Sequence, residues 1–265
     1  MMHDSELYTD NNKEKLTSFG IKLDQRGAHS SRTLMLTEIA SLLHATPRNS
    51  TAEVYRDAIV AQNVLNKATT ATRIESYERL SVLYGLSTCP PIHSIYRSLV
   101  EIDPASLPLL SFLLAWGRDS QLRGTTEAIS SAAPGTLVKS QMLEVALKAF
   151  AQNQYGDGTI SRIASNAISS WTQAGYLTGR VKKTRQAIKP TPAVITLALI
   201  ISDVAGFHGA QAFTSPWCRL LDLTASTAST LASQAHGMGF ITLRSSGAVV
   251  ELSFPKFSET MQNTL

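Results

Sequence analysis

The stretch "TISRIASNAISSWTQAGYLTGRVKKTRQAIKP", residues 159–190, decides how this chain is read. Ile160, Ile163, Ala164, Ala167, Trp171 and Ala174 recur at helical spacing, so one apolar face is buried. Gly175 follows at the place where a helix ends in a left-handed residue. A short, irregular hairpin comes next, and Arg180, Lys182, Lys183, Arg185 and Lys189 fall inside ten residues with no acid among them.

The same grammar returns further on. "TASTASTLASQAHG" (224–237) places Ala228, Leu231, Ala232 and Ala235 on one stripe and stops at Gly237. "FITLRSSGAVVELSF" (240–254) then gives two strands around "SSG", with Val250, Leu252 and Phe254 alternating onto one face. Helix, glycine stop and two-stranded hairpin, twice over, is the order of a winged helix-turn-helix. Upstream the periodicity is purely helical. "TLMLTEIASLLHAT" (33–46) aligns Leu36, Ile39, Leu42 and Leu43. "STAEVYRDAIVAQNVLN" (50–66) opens with Ser50 and Glu53 at capping-box spacing and predicts a stripe of Val54, Ala58, Ala61 and Leu65. "TRIESYERLSVLYGL" (72–86) repeats the device with Thr72 and Glu75 and stops at Gly85. The expected fold is mainly α: an N-terminal helical bundle followed by winged helix-turn-helix-like units with short β-hairpins. The expected boundaries are a polar mobile tail at 1–25, an all-α bundle at 26–135, a first winged-helix-like unit with the basic hairpin at 136–190, and a second unit at 191–265. "SSAAPGT" (130–136) supplies the small and turn-forming residues of a junction.

Charge singles out the same segment. The chain has 265 residues, 24 Lys+Arg and 20 Asp+Glu. Residues 1–155 balance, and residues 191–265 carry three cations and four acids. Residues 156–190 hold six cations against Asp157 alone, so the basicity of the protein is one segment. Cys89 and Cys218 show no metal-ligand or redox spacing and read as buried thiols in a reducing cytosol. The polar start "MMHDSELYTDNNKEKL" lacks the apolar core of a signal peptide. "AVITLALII" (193–201) falls short of the about 20 residues a membrane span requires. A cytoplasmic protein without a membrane partner is expected.

Opposite the buried stripe of the quoted helix stand Arg162, Ser165, Asn166, Ser169 and Gln173, side chains that donate to phosphates and base edges. With Arg180, Lys182, Lys183, Arg185 and Lys189 they form the candidate nucleic-acid-binding set, and double-stranded DNA is the expected partner. The rival readings of the basic hairpin are an acidic protein surface and a merely solvated face. The second unit offers Thr227, Thr230 and Gln234, a single hairpin cation in Arg244, and Glu251, and reads as a structural or assembly module. No Walker loop, metal-ligand spacing or catalytic motif stands out, and the six histidines are dispersed. The expected protein is not an enzyme and takes no cofactor or metal. Trp116, Trp171 and Trp217 are expected in the core.

"YRDAIVAQNVLNKATTATRIESYERLSVLYGL" (55–86), the apolar helix at 105–116 and "NAISSWTQAGYLTGRVKK" (166–183) together resemble the BrxA family, small helical accessory proteins of BREX phage-defence islands. The shared features are patterns spread over roughly residues 55–255. The long polar start and the extended second hairpin depart from them. The resemblance implies a mostly helical, DNA-binding, non-catalytic protein that acts beside a DNA methyltransferase and other defence components. It carries no catalytic residues over to this chain.

Overall fold

A computed structural model of the protein describes residues 4–9, 11–23, 27–151, 154–246 and 249–262. The molecule is mainly helical, with a few short strands in two small antiparallel sheets.

The first residues are not a free tail. A 3-10 turn (Asp4–Leu7) and helix α1 (Lys13–Phe19) bury Leu7, Leu16 and Phe19, and Ile21 follows them inside. Four apolar side chains among polar ones suffice to dock this segment, which corrects the expectation of a mobile tail wherever residues 4–23 are described. Its partners lie far along the chain: Trp217 Nε1 donates to the Leu7 carbonyl (3.2 Å), and the Thr9 N–H to that of Ala205 (2.8 Å).

Helices α2 (Leu36–Ala45), α3 (Ala52–Val60), α4 (Thr70–Tyr84), α5 (Pro91–Ile102) and α6 (Leu107–Arg118) form the helical part expected from periodicity. Their caps differ from the expected ones. Thr51, not Ser50, caps α3, so the helix starts one residue later. The buried stripe is therefore Tyr55, Ala58 and Ile59, while Val54 and Ala61 are exposed. Thr69 caps α4 in a reciprocal box with Thr72, three residues before the Thr72–Glu75 pair. Gly85 closes α4 at φ +76°, a left-handed stop as predicted. Helix α6 is apolar on every side because it is covered on every side: Leu110 and residues 112–116 have no exposed surface.

Short helices α7 (Ser120–Arg123) and α8 (Thr126–Ser130) lead through 131–136 into β1 (Leu137–Val138). Helices α9 (Ser140–Ala151) and α10 (Asp157–Gln173) follow, then β2 (Leu177–Thr178) and β3 (Lys183–Arg185). The sheet order is β1-β3-β2, with Leu137 opposite Thr184 on one side and Leu177 opposite Arg185 on the other. Gly175 has φ +89°, the predicted stop. The last part runs α11 (Pro192–Val204), a 3-10 segment (Gly209–Thr214), α12 (Pro216–Leu220), α13 (Ala225–Gly237), the hairpin β4 (Thr242–Ser246) and β5 (Val249–Ser253), and α14 (Ser258–Gln262). Gly237 is still helical, and the left-handed turn falls at Gly239 (φ +71°).

One apolar core runs without interruption through the boundaries expected at 135/136 and 190/191. Helix α11 packs on α5, α6, α12 and α13, and α6 touches α10. All three tryptophans are buried, with Trp116 and Trp217 edge to face at 5.2 Å. Cys218 is buried and Cys89 half-buried, at φ +43°. Among the described residues no single helix is long and apolar enough to cross a membrane.

Candidate nucleic-acid interface

The hairpin after α10 is held rigidly at its base and left open at its tip. Tyr176, buried, donates its hydroxyl to the Leu220 carbonyl (2.8 Å). Gly179 turns the chain at φ +97°, and a β-carbon there would lie 2.1 Å from the Lys182 carbonyl oxygen, so only glycine makes this turn. Arg180, Val181 and Lys182 are exposed at the tip, Val181 at 89%. Lys183 is half-buried, its Nζ donating to the Gly179 carbonyl (2.7 Å), and Lys189 is exposed beyond the sheet. Arg162 is exposed on α10. Arg162, Arg180, Lys182, Lys183 and Lys189 have no carboxylate within ion-pair reach among the described residues.

Arg185 does not belong with them. It is 3% exposed, donates through Nε to the Ile129 carbonyl (3.1 Å), pairs through Nη2 with Asp222 Oδ1 (2.5 Å), and lies over the Tyr176 ring. Strand β3 is the middle strand of its sheet, so its last residue turns into the junction between the hairpin and α12. A cation held there by a carboxylate and a backbone carbonyl is a structural one, set apart from the exposed tip.

The polar side of α10 divides in two. Arg162 and Ser165 remain open, and Ser169 is half-buried. Asn166 donates to the His29 carbonyl (2.8 Å). Gln173 accepts from the Leu36 N–H (3.3 Å) and donates to Thr33 Oγ1 (3.2 Å) and Ser169 Oγ (3.4 Å). Positions 166, 170 and 173 form one stripe at helical spacing, and the segment 28–36 lies along it. Asn166 and Gln173 are therefore committed to the protein's own backbone, which corrects the reading of them as base contacts.

Beside them lies a buried network that the sequence pattern did not single out. Asp119 caps α7, accepting from the Leu122 N–H (3.0 Å), and also accepts from the Ala28 N–H (2.6 Å) and from His29 Nδ1 (2.8 Å). His29 Nε2 lies 2.8 Å from Ser170 Oγ. Burial acts to raise the Asp119 carboxyl, but the His29 ring and the two backbone N–H groups outweigh it and hold it below the ordinary carboxylate value. Acid, imidazole and hydroxyl follow one another as in a nucleophilic relay. Ser170 nevertheless has no exposed surface, and its Oγ is already bonded to the Leu34 N–H (2.8 Å) and the Asn166 carbonyl (3.0 Å). A substrate has no route to it, and the network serves to pin 28–34 between α7 and α10. The signal available in sequence was weak: three polar residues, each alone in an apolar context, separated by 90 and 51 positions.

Helix α13 shows the polar face expected of it. On α13, Ser226, Thr227, Thr230, Ser233, Gln234 and His236 are exposed, and no acid occurs between Asp222 and Glu251. Arg244 stands 3.9 Å from Glu251 across its hairpin, both largely exposed. Among the described residues no cluster of His, Cys, Asp and Glu is arranged to hold a metal ion.

No protein-family model and no curated protein matches this chain.

Proposed function

We propose that this protein binds double-stranded DNA without catalysing a reaction on it, using the β2–β3 hairpin as its principal phosphate contact. The observation that carries the reading is the hairpin tip. Three cations, Arg180, Lys182 and Lys183, stand on the hairpin, Lys189 follows it and Arg162 lies on α10, and none has a carboxylate partner among the described residues. Arg185 is a structural cation with a carboxylate partner; a cluster of cations without carboxylate partners on an exposed hairpin is suited to a polyanion. The order α8-β1-α9-α10-β2-β3, with β1 pairing β3, supports the winged-helix reading, in which the hairpin would lie along the DNA backbone. With Asn166 and Gln173 engaged internally, α10 offers few base contacts, so the reading favours binding with little sequence preference. The accessory role in phage defence, beside a methyltransferase, rests on the resemblance of residues 55–86 and 166–183 alone.

Anisotropy titrations with a duplex across a salt series test this. Replacing Arg180 and Lys182 with Glu is expected to flatten the slope of log K against log salt by about two units and to weaken every duplex alike. Lys13 and Arg56, exposed elsewhere, make the matched control when reversed together. Equal losses from both pairs would leave only net charge, and the hairpin would have no special part.

A scaffold reading has one specific support. Val145 is 68% exposed on α9, where Met142, Ala146 and Ala149 line a shallow apolar groove against α8. A chain that binds no duplex at low salt would shift the assignment to that reading.

A further inference from the structure

We propose that the cavity between α2 and α5 is a receptor for a small amphipathic monocarboxylate, a site independent of DNA binding. The cavity measures about 360 Å³, within the range of small-molecule sites. Its walls are mostly apolar: Ala40 and Leu43 from α2, Val100 from α5, and Pro104 and Leu107 where the chain enters α6. Into this lining α5 brings Arg97, which is 7% exposed.

Arg97 is the feature that calls for a ligand. Its Nη2 donates to the Thr46 carbonyl, and no carboxylate of the described residues comes within ion-pair reach. Glu101, one turn along the same helix, also borders the cavity but is exposed and lies 3.6 Å from Arg48 Nε, directed to the outside pair. The contrast with Arg185 is direct, since that equally buried guanidinium has Asp222. A buried cation that the fold leaves uncompensated is completed by an anion from outside. The planar guanidinium fork matches a carboxylate in two parallel hydrogen bonds. A phosphate would be held by a cluster of cations, and the cavity adds only His44, at an exposed position. The apolar walls select an acid with a hydrocarbon body, such as a medium-chain or aromatic acid.

The test is calorimetric titration of the full chain with hexanoate and with benzoate, in chloride buffer, with hexanol as the neutral probe. The acids are expected to bind saturably and hexanol at least roughly tenfold more weakly, the loss of one charge-assisted pair. Arg97→Met is expected to abolish the preference for the acid over the alcohol. Because Arg97 also holds Thr46, a second variant acts from the other wall: Ala40→Trp, at a half-buried position on α2, fills the cavity and is expected to remove acid binding with the helical circular dichroism unchanged. Absence of saturable acid binding to the folded wild type would overturn the proposal. Equal affinity for hexanoate and hexanol, or unchanged hexanoate binding in Ala40→Trp, would overturn it too. A duplex titration of the same variants distinguishes the two sites, since both are expected to bind DNA as the wild type does.

Discussion

Arg180 and Arg185 carry the same side chain on the same hairpin and meet opposite surroundings. The first ends in solvent, and the second, itself buried, pairs with the more exposed Asp222. Charge density along the chain cannot separate them, because one sits in the turn at the tip and the other at the end of the middle strand. Replacing Arg185 with Met leaves Asp222 and the Ile129 carbonyl without their donor. We expect a loss of about 2–3 kcal/mol in denaturant unfolding with the salt slope for DNA unchanged. A slope lowered by one unit at full stability would put Arg185 back among the phosphate contacts. His93 makes a second residue-scale case. Burial pushes its pKa down to about 4, with Arg118 and Arg97 adding to the effect against the Tyr84 carbonyl. The ring lies 2.8 Å from that carbonyl through Nδ1 and 3.0 Å from the Tyr55 hydroxyl through Nε2. With the folded pKa below the unfolded one, the unfolded chain takes up the proton first. Stability is therefore complete above about pH 6.5 and declines by roughly 3 kcal/mol as pH falls to about 4. Urea midpoints followed across that range should drop in the wild type and lose most of this slope in His93→Gln.

At the level of elements, α10 shows what periodicity can and cannot reveal. Its apolar stripe, its end at Gly175 and the hairpin beyond were all legible, since each depends on local spacing or on one backbone conformation. The fate of its polar side was not. A polar residue facing solvent and one facing another segment's backbone look alike in sequence, and the segment that covers Asn166 and Gln173 comes from 28–36, more than 130 positions earlier. The start of α3 slipped by one residue: Ser50 and Thr51 are both able caps, and the helix capped by Thr51 buries Tyr55 and Ile59. Asn166→Ala and Gln173→Ala should each cost about 1 kcal/mol of stability, measured by thermal or denaturant unfolding, and leave the order of preference among duplexes as it was. Altered duplex preference with unchanged stability would mean that these side chains leave 28–36 to read DNA.

The whole molecule is knitted more tightly than its linear order suggests. Composition and charge shift near 130–136, yet α5 and α6 pack on α11 and α10, and Asp119, His29 and Ser170 join three separate parts of the chain. A fragment of residues 136–265 would expose the faces of α10 and α11 that α5 and α6 cover. It should therefore lack a cooperative thermal transition, and a sharp transition near that of the full chain would show two independent units. The strap at the beginning of the chain carries the same theme into time. Leu7 reaches its place only when Trp217 is there to receive it, 210 positions later. At typical rates of synthesis roughly 10 to 40 s separate Leu7 from Trp217, and for that time Leu7 lacks this partner. During that interval the nascent chain offers chaperones an apolar segment that the finished protein conceals.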